Sequence, residues 1–268
     1  MINAIYRISD GSYKKAKLPG STKEACLHNF LDSFVGDITI MADNCGEDTL
    51  ALCHRAEKKM VETSLGNAGS LRYAIEMVLD WDDDQVVYFV EDDYLHLRIG
   101  DVPFDSLPER DIAEGLLKAD YVTLYDHPDK YLREYQRGEQ SQVVRTQHAH
   151  WRYSVSTTMT FASTVKALRE DIEVWRKHTE GGHPDDHKIF TELGEKGRKL
   201  AVRIPGTACH TDLTYSDQKK TLFMDQWVFQ VMEQILMQEG ASSWPEEIEA
   251  ILPASGLQRL IMLASLAQ

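Results

Sequence analysis

The sequence predicts an α/β fold in which a mostly parallel β-sheet is flanked by helices. Segments with the apolar pattern of strands alternate with segments of helical periodicity through the first half of the chain. Residues 85–90 form an apolar run rich in β-branched and aromatic side chains, which is typical of a strand buried on both faces. Strands that alternate with helices in this way form parallel sheets, because each crossover returns the chain in the same direction.

The elements of the first half follow in order along the chain. The first strand is predicted over residues 4–8. Ser21 and Glu24 have the spacing of a capping box and predict the start of a helix. Apolar residues at helical spacing continue that helix until Gly36, which ends it. A second strand is predicted over residues 38–42, a helix over residues 48–60 and a short strand over residues 61–64.

The later elements are predicted by the same two periodicities. The Gly66 to Gly69 turn introduces a helix that precedes the strand at residues 85–90. The predicted elements after it are a helix at 109–118, strands at 121–125 and 153–160, a long helix through 161–175, a helix from 185 and a strand at 200–204. From residue 218 the pattern is helical alone, with further helices at 245–252 and 257–266.

Composition limits the class of protein. The chain has 268 residues and a formal net charge of -14, which argues against nucleic acid as a partner because phosphate binding needs clustered Lys and Arg. No basic leader and no apolar run of membrane-spanning length are present in the sequence given, and the four cysteines form no C-x-x-C pair. We therefore expect a cytoplasmic protein without a transmembrane segment and with reduced cysteines.

Three groups of residues are candidates for chemistry. Glu91, Asp92 and Asp93 follow the strand at 85–90, at the strand end where open α/β sheets bind ligands, and carboxylates of this kind bind Mg²⁺ together with substrate phosphates. Asp185 and Asp186 follow a Gly-Gly turn and open a helix, which ordinary N-terminal capping also produces. The third group is His210, which follows the last predicted strand; a lone histidine is more often structural than a ligand.

The order and spacing of these groups resemble the nucleotide-sugar glycosyltransferases of the GT-A fold, over roughly residues 1–211. The family's first acidic motif, called DxD, corresponds to Glu91-Asp92-Asp93, with Glu in place of the first Asp. The resemblance implies that Glu91, Asp93 and His210 hold a divalent cation, Mn²⁺ or Mg²⁺, and that Asp92 contacts the ribose or a metal-bound water. It places Asp186 at the position of the catalytic base of inverting members.

The same resemblance implies a donor side and an acceptor side. Arg7, Ser9, Asp10, Asp43 and Asn44 follow the first two strands and would contact the donor base and ribose. The alternative for these residues is turn formation, which Asp and Asn favour.

Further residues follow from the resemblance on each side of the site. Arg72 would contact the donor diphosphate, unless it is an ordinary surface Arg. Asp185, His183 and Tyr125 would border the acceptor. The implied partners are a nucleotide-diphosphate sugar, by expectation a UDP-sugar, and a saccharide or other hydroxyl acceptor, with transfer by inversion in the assembly of a glycan or polysaccharide.

The resemblance also sets the expected domain limits. Residues 1–214 are predicted to form the catalytic domain, with a nucleotide-binding half over about 1–100 and an acceptor half over about 101–214. Residues 215–268 are predicted to be a helical appendage. An apolar helical tail packs on its own domain or on a second subunit, and we expect a homo-oligomer formed through it.

Three other functions stay open at the level of sequence. His148 and His150, with the histidines at 183 and 187, supply imidazoles for a metal hydrolase that uses Zn or Fe. A sugar nucleotidyltransferase would use similar carboxylates with a phosphate loop after the first strand, for which residues 9–15 are a weak candidate. The third alternative is a protein that binds a nucleotide-sugar without turnover.

Overall fold

The structure of the protein is a computed structural model. It describes residues 2–11, 17, 20–97, 107–127, 130, 142–211, 214–215 and 222–223. The strands of this part of the chain are β1 (Ile2–Ser9), β2 (Asp37–Asp43), β3 (Lys59–Thr63), β4 (Val86–Glu91), β5 (Tyr94–His96), β6 (Tyr121–Thr123), β7 (Val143–Arg145), β8 (His150–Ser154), β9 (Phe161–Thr164), β10 (Leu200–Ile204), β11 (Ala208–His210), β12 (Thr214–Tyr215) and β13 (Leu222–Phe223). The helices are α1 (Lys23–Ser33), α2 (Glu47–Arg55), α3 (Gly66–Met77), α4 (Leu107–Leu116), α5 (Val165–Glu170), α6 (Ile172–Lys177) and α7 (Asp186–Glu195).

Nine strands form one sheet in the order β3-β2-β1-β4-β9-β6-β10-β8-β7. The ladders β3-β2, β2-β1, β1-β4 and β6-β10 are parallel, and only β8 and β9 run against the remaining strands of this sheet. The predicted mixed α/β fold with a mostly parallel sheet is confirmed. β1 has β2 on one side and β4 on the other, so the strand order reverses at β1, and the carboxyl ends of β1 and β4 open onto the crevice that such a reversal creates.

Two apolar cores cover the two faces of the sheet. Along β1, Tyr6 and Ile8 belong to the core that includes Leu27 and Phe30 of α1, whereas Ile5 belongs to the core that includes Leu71 of α3. Neighbouring side chains of a strand point to opposite faces, and both sets are almost fully buried here. Burial on both faces explains why the central strands read as continuous apolar runs.

The predicted boundaries need correction at several points. α2 ends at Arg55 rather than at residue 60, because Glu57 has a positive φ of 52° that no α-helix accommodates, and β3 then starts at Lys59. The predicted box at the start of α1 lies one residue off, since the side chain of Thr22, and not that of Ser21, accepts the bond from the Ala25 N–H.

The long helix predicted through 161–175 is also wrong. Phe161 lies in β9, and the remainder is two short helices that meet at Asp171, whose carboxylate accepts bonds from Tyr121 Oη and Arg198 Nε. The strand predicted at 153–160 ends at Ser154.

Only a small part of the predicted C-terminal appendage lies among the described residues. Leu222, expected in a helix, lies in β13, which pairs with β12 in an antiparallel ladder. The helices predicted at 245–252 and 257–266, and most of the appendage predicted at 215–268, lie outside the described residues. None of the helices in the described part of the chain has the length and apolar content that crossing a membrane requires.

Candidate functional site

A cleft of about 310 Å³ opens at the carboxyl ends of β1, β2 and β4. Ten of the residues predicted for the site line this cleft: Arg7, Ser9, Asp43, Asn44, Glu91, Asp92, Asp93, His183, Asp186 and His210. The register of the sheet explains part of this convergence, because Arg7 lies opposite Glu91 and Ser9 lies opposite Asp43. The crossover connections of the parallel sheet therefore bring strand ends together at one edge, and the β11-β5 pair adds His210 to them.

The three carboxylates after β4 occupy different environments. Asp92 is 8% exposed, and its Oδ2 accepts a bond of 3.0 Å from the Ser9 N–H, which joins the ends of β4 and β1. Glu91 lies at the end of β4, with Oε1 3.9 Å from Arg7 Nη1. Burial, and then repulsion by Asp93, raises the pKa of both Glu91 and Asp92. Such a cluster favours a cation, because a positive charge relieves the repulsion.

His210 meets Asp93 through a second, small sheet. β11 pairs with β5, which places His210 opposite Tyr94, and the Thr211 N–H donates to the Asp93 carbonyl at 2.8 Å. The two functional groups lie together, with His210 Nε2 3.2 Å from Asp93 Oδ2. The Tyr94 ring stacks on the imidazole at a centroid distance of 4.9 Å. The backbone thus holds an imidazole and a carboxylate in contact at the edge of the cleft.

Asp185 and Asp186 have different roles in the structure. Asp185 is the N-cap of α7, with its carboxylate accepting from the Lys188 N–H at 3.1 Å and pairing with Lys188 Nζ at 2.6 Å. Asp186 begins the helix and lines the cleft, where its Oδ1 accepts from the His187 N–H at 2.6 Å. Burial is the main cause that raises the pKa of Asp186, and the charge of Asp185 raises it further.

Asp43 and Asn44 end β2 at the donor-side wall predicted for the cleft. Asp43 is 3% exposed, and its Oδ1 accepts from the Thr63 hydroxyl at 2.8 Å and from the Leu65 N–H at 2.6 Å. Asn44 has a φ of 51° and is exposed. The Asp43 carboxylate therefore holds the connection between β3 and α3 through Oδ1, while its Oδ2 accepts from Asn44 Nδ2 at 2.9 Å, and both residues line the cleft.

Four predicted residues lie elsewhere. Asp10 joins three elements, with bonds from Lys23 Nζ, the Gly46 N–H and the Thr49 hydroxyl. Asp185 caps α7, and Arg72 lies on α3 away from the cleft lining. Tyr125 is 5% exposed, and its ring packs edge-on against that of Tyr94, behind His210. None of these four residues lines the cleft.

The structure also places in the cleft residues that the sequence reasoning did not select. They are Ile8, Gly11, Lys17, Gly66, Asn67, Ser70, Thr158, Met159 and Pro184. Asn67 and Ser70 follow a glycine at the start of α3, and polar residues at a glycine-rich helix start are the signal that would have identified them. Thr158 belongs to no sequence motif. Its hydroxyl lies 2.6 Å from that of Tyr94, and this hydrogen bond holds it at the site.

The imidazoles considered for a hydrolase do not gather at this cleft. His148 Nδ1 contacts Glu114 Oε1, and His150 starts β8 at an exposed position. Of the histidines in that group, His183 alone lines the cleft in the described part of the chain. The zinc or iron site that a hydrolase needs is therefore not assembled from them.

The donor atoms fit a divalent ion that is shared with a substrate. Among the residues described, no three His, Cys, Asp or Glu side chains are arranged to bind one metal ion by themselves. Mg²⁺ and ions like it are commonly held by one or two carboxylates, with phosphates and waters completing the shell. Asp93 supplies one such carboxylate, and His210 Nε2, 3.2 Å from Asp93 Oδ2, adds an imidazole nitrogen. The residues present thus suit a cation that binds together with a phosphate-bearing substrate.

Comparisons with known proteins find similar folds and no similar sequences. No protein-family model matches the sequence, and no curated protein is similar to it. Residues 1–349 of TarS from S. aureus match with a TM-score of 0.50 at 13% identity, over 94% of this chain and 69% of that one. A nucleotidyl transferase from Methanothermobacter thermautotroptrophicus matches with a TM-score of 0.47 at 11% identity, over 89% and 99%. GalNAc-T7 with UDP, GalNAc and Mn²⁺ matches with a TM-score of 0.45 at 10% identity, over 78% and 42%.

These likenesses are too distant in sequence to carry a residue role, and the TarS comparison supports the fold alone. Together with the sheet order, it defines a mixed α/β protein of the GT-A and Rossmann-like class. What the molecule does has to be argued from the cleft itself.

Proposed function

We propose that the protein is a metal-dependent glycosyltransferase that moves a sugar from a nucleotide-diphosphate donor, by expectation a UDP-sugar, to an acceptor hydroxyl with inversion. One observation carries the proposal: acidic groups from β4 and α7 and the imidazole of β11 line a single cleft at the strand reversal. A divalent cation needs such ligands and in turn binds the diphosphate, while an acceptor hydroxyl needs a carboxylate as its base, and these three elements supply both within one cavity.

The metal side of the site is formed by Asp93 and His210, with Glu91 next to them. These residues would hold a divalent cation, and its positive charge would neutralise the charge that builds on the departing diphosphate. Asp92, which is held by the Ser9 N–H, keeps the ends of β1 and β4 together and so positions the metal-binding carboxylates. The stacked Tyr94 ring restricts His210 to one orientation.

Asp186 acts on the acceptor side as the general base. Its burial in the cleft wall raises its pKa, and a carboxylate with a raised pKa is a stronger acceptor for the proton of an attacking hydroxyl. The Lys188 N–H and Nζ engage Asp185 and leave Asp186 as the carboxylate of the pair that faces the cavity. A single displacement by the activated hydroxyl inverts the anomeric centre.

The test is calorimetry with a panel of nucleoside diphosphates, each titrated with Mn²⁺ and again in a chelator. The proposal expects one nucleotide to bind, and to bind more tightly with the metal. Asp93→Asn should remove the gain from Mn²⁺, whereas Asp32→Asn, on helix α1 and outside the cleft lining, should keep it. Equal nucleotide binding with and without metal would contradict the assignment of Asp93 and His210.

Asp186→Asn separates the catalyst from a protein that binds without turnover. We expect donor binding to stay within about twofold of wild type, while transfer falls by roughly 10²–10⁴-fold, because the amide cannot accept the proton. Sugar transfer is followed with the donor identified by calorimetry, and Glu195→Gln at the far end of α7 serves as the control.

The assignment of the base has two contrary outcomes. Transfer at near wild-type rate in Asp186→Asn would exclude Asp186 as the base. Loss of transfer in Asp185→Asn, with Asp186→Asn still active, would move that role to the capping residue.

A second candidate is a nucleotidyltransferase that makes an activated sugar. It is favoured by Gly11 and Lys17, which come after β1 in the sequence and line the cleft. A phosphate loop occupies this position in many α/β proteins. Release of pyrophosphate from a nucleoside triphosphate and a sugar phosphate would identify this activity, whereas a transferase uses the preformed nucleotide-sugar.

A further inference from the structure

Arg7 is a buried cation in which only one of the three guanidinium nitrogens, Nη2, makes hydrogen bonds to the described residues. It is 7% exposed, and its Nη2 donates to the Asn67 carbonyl at 2.8 Å, to Asn67 Oδ1 at 2.7 Å and to Ser70 Oγ at 3.2 Å. Its Nε and Nη1 make no hydrogen bond to the described residues. A guanidinium buried with unused donors is costly unless an anion completes it.

Carboxylates lie near Arg7, but none in the described part of the chain accepts a hydrogen bond from its Nε or Nη1. The nearest carboxylate is that of Glu91, at 3.9 Å from Nη1, which is too long for a hydrogen bond. Asp92, which lies beyond it, is engaged by the Ser9 N–H. An anion that enters the cleft can take the position that Glu91 approaches, and two adjacent N–H groups of Arg match the two oxygens of a phosphate or a carboxylate.

The start of α3 adds a second source of positive potential at the same place. This helix has twelve residues, and its N-cap Leu65 makes no side-chain capping bond. A Cβ added at Gly66 meets no atom within 4 Å, so open space lies beside this end of the helix. Gly66, Asn67 and Ser70 line the cleft together with Arg7. The Ala68 N–H donates to the Gly182 carbonyl at 3.4 Å, and the helix dipole favours an anion beside the other N–H groups of this terminus.

We propose that Arg7 and the first turn of α3 form a subsite that binds an oxyanion of the donor without a metal. This subsite is separate from the metal ligands Asp93 and His210. The occupant is the nucleotide phosphate farther from the cation, or a carboxylate on the donor sugar. The identity of the ligand rests on the proposed function. In this assignment Arg7 contacts the phosphates, whereas the resemblance implied that it contacts the base and ribose. Arg72, which the resemblance placed on the diphosphate, lies outside the lining of the cleft.

The experiment measures metal-free binding in a chelating buffer. Calorimetric titrations with UMP, uridine and inorganic phosphate separate the phosphate from the base, since inorganic phosphate carries no base at all. We expect UMP to bind at least about tenfold more tightly than uridine, with inorganic phosphate competing, because charge-assisted hydrogen bonds have about this effect. Arg7→Lys keeps the charge but not the paired donors, and should reduce UMP affinity by about tenfold or more.

A second variant protects the test against a folding defect at Arg7. Asn67→Asp supplies a carboxylate next to Nη2, so the melting temperature should not fall, yet UMP and inorganic phosphate should lose about tenfold or more in affinity. Arg55→Lys, an exposed Arg on α2, is the matched control and should bind as wild type does. Unchanged binding of UMP, inorganic phosphate and UDP-glucuronate in both Arg7→Lys and Asn67→Asp would overturn the proposal.

Two arms identify the oxyanion and keep this proposal separate from the function. With Mn²⁺ present, the affinities of Arg7→Lys for UDP-glucuronate and UDP-glucose are compared with those of wild type. A loss of affinity for UDP-glucuronate alone assigns the subsite to a sugar carboxylate. A loss that includes UMP assigns it to a nucleotide phosphate. Phosphate binding in chelator that depends on Arg7, without any metal-dependent nucleotide binding, would sustain the subsite and refute the proposed transferase.

Discussion

The carboxylate of Asp111 binds side chains next to the start of β11. It is fully buried on α4, where Arg203 Nε donates to Oδ2 at 2.7 Å and Arg110 Nη2 donates to Oδ1 at 2.9 Å. The Thr207 hydroxyl donates to the same Oδ2 at 3.3 Å. Thr207 directly precedes the strand that carries His210, so this carboxylate fixes the chain at the entrance to the site.

We expect Asp111→Ala to lower the free energy of unfolding by about 3–4 kcal/mol, because it leaves Arg203 buried without its anion. Urea unfolding followed by fluorescence measures the change. Glu24→Ala breaks an exposed pair with Arg55 and should change stability by less than about 1 kcal/mol. A loss below about 1 kcal/mol in Asp111→Ala would show that the network carries no stability.

At the scale of single residues, the sequence predicted which side chains gather but not how each is engaged. Glu91, Asp92 and Asp93 were found because a buried strand ends in charge. The resemblance implied a donor contact for Asp10, yet its carboxylate is engaged by Gly46 and Thr49. Asp and Asn at strand ends serve turns and ligands equally well, and only the partners that the fold brings near distinguish the two uses.

The helix α4 packs so closely on the sheet that one of its positions must be glycine. A Cβ at Gly115 would lie 2.7 Å from Trp151 Cη2 and 2.8 Å from Val122 Cγ1. Both neighbours are fully buried, so neither can move aside without disturbing the core. Gly194 on α7 is the contrasting case, since a Cβ there meets no atom within 4 Å.

We expect Gly115→Ala to destabilise the protein by about 1–3 kcal/mol, because overpacking outweighs the helix propensity of alanine. Gly194→Ala adds the same methyl group without a clash and should stabilise by about 0.5–1 kcal/mol. Thermal and urea unfolding of the two variants provide the measurement. Two changes of the same sign would mean that packing at Gly115 does not control the result.

At the scale of elements, the strand and helix order was predictable, and the errors came where tertiary contacts override local periodicity. Phe161 has helical spacing to Val165 and Leu168, but it pairs with Phe89 in the sheet and stacks on Trp175 at 4.9 Å. The side chain of Asp171 is used by Tyr121 and Arg198 at the break between α5 and α6. Neither partner is visible from a window of neighbouring residues.

At the scale of the whole molecule, a buried histidine makes the stability of the fold sensitive to acid. His96 is 1% exposed, its Nε2 lies 2.8 Å from Tyr88 Oη, and its ring packs on Phe30. Burial lowers the pKa of His96 from its ordinary value of 6.5 to about 3. The folded state therefore keeps this imidazole neutral where the unfolded chain protonates it.

A histidine with a lowered pKa contributes stability that is complete above pH 6.5 and is lost as the pH falls toward 3. This one group should cost about 2 kcal/mol between pH 7 and pH 5. His96→Gln starts from a lower stability at pH 7 but should lose about 2 kcal/mol less than wild type over the same interval. Parallel pH profiles from urea unfolding of both proteins would contradict the buried neutral state.

The position of β1 has a consequence for how this molecule can change. Arg7 and Ser9 belong to a strand with neighbours on both sides, so the floor of the cleft opens only when the whole sheet is lost. Asp186 and His183 stand on or beside a loop, where insertions and replacements disturb little of the sheet. Evolution or a protein engineer can therefore remodel one wall of the cavity, and with it the choice of the second substrate, while the floor and its chemistry are inherited intact.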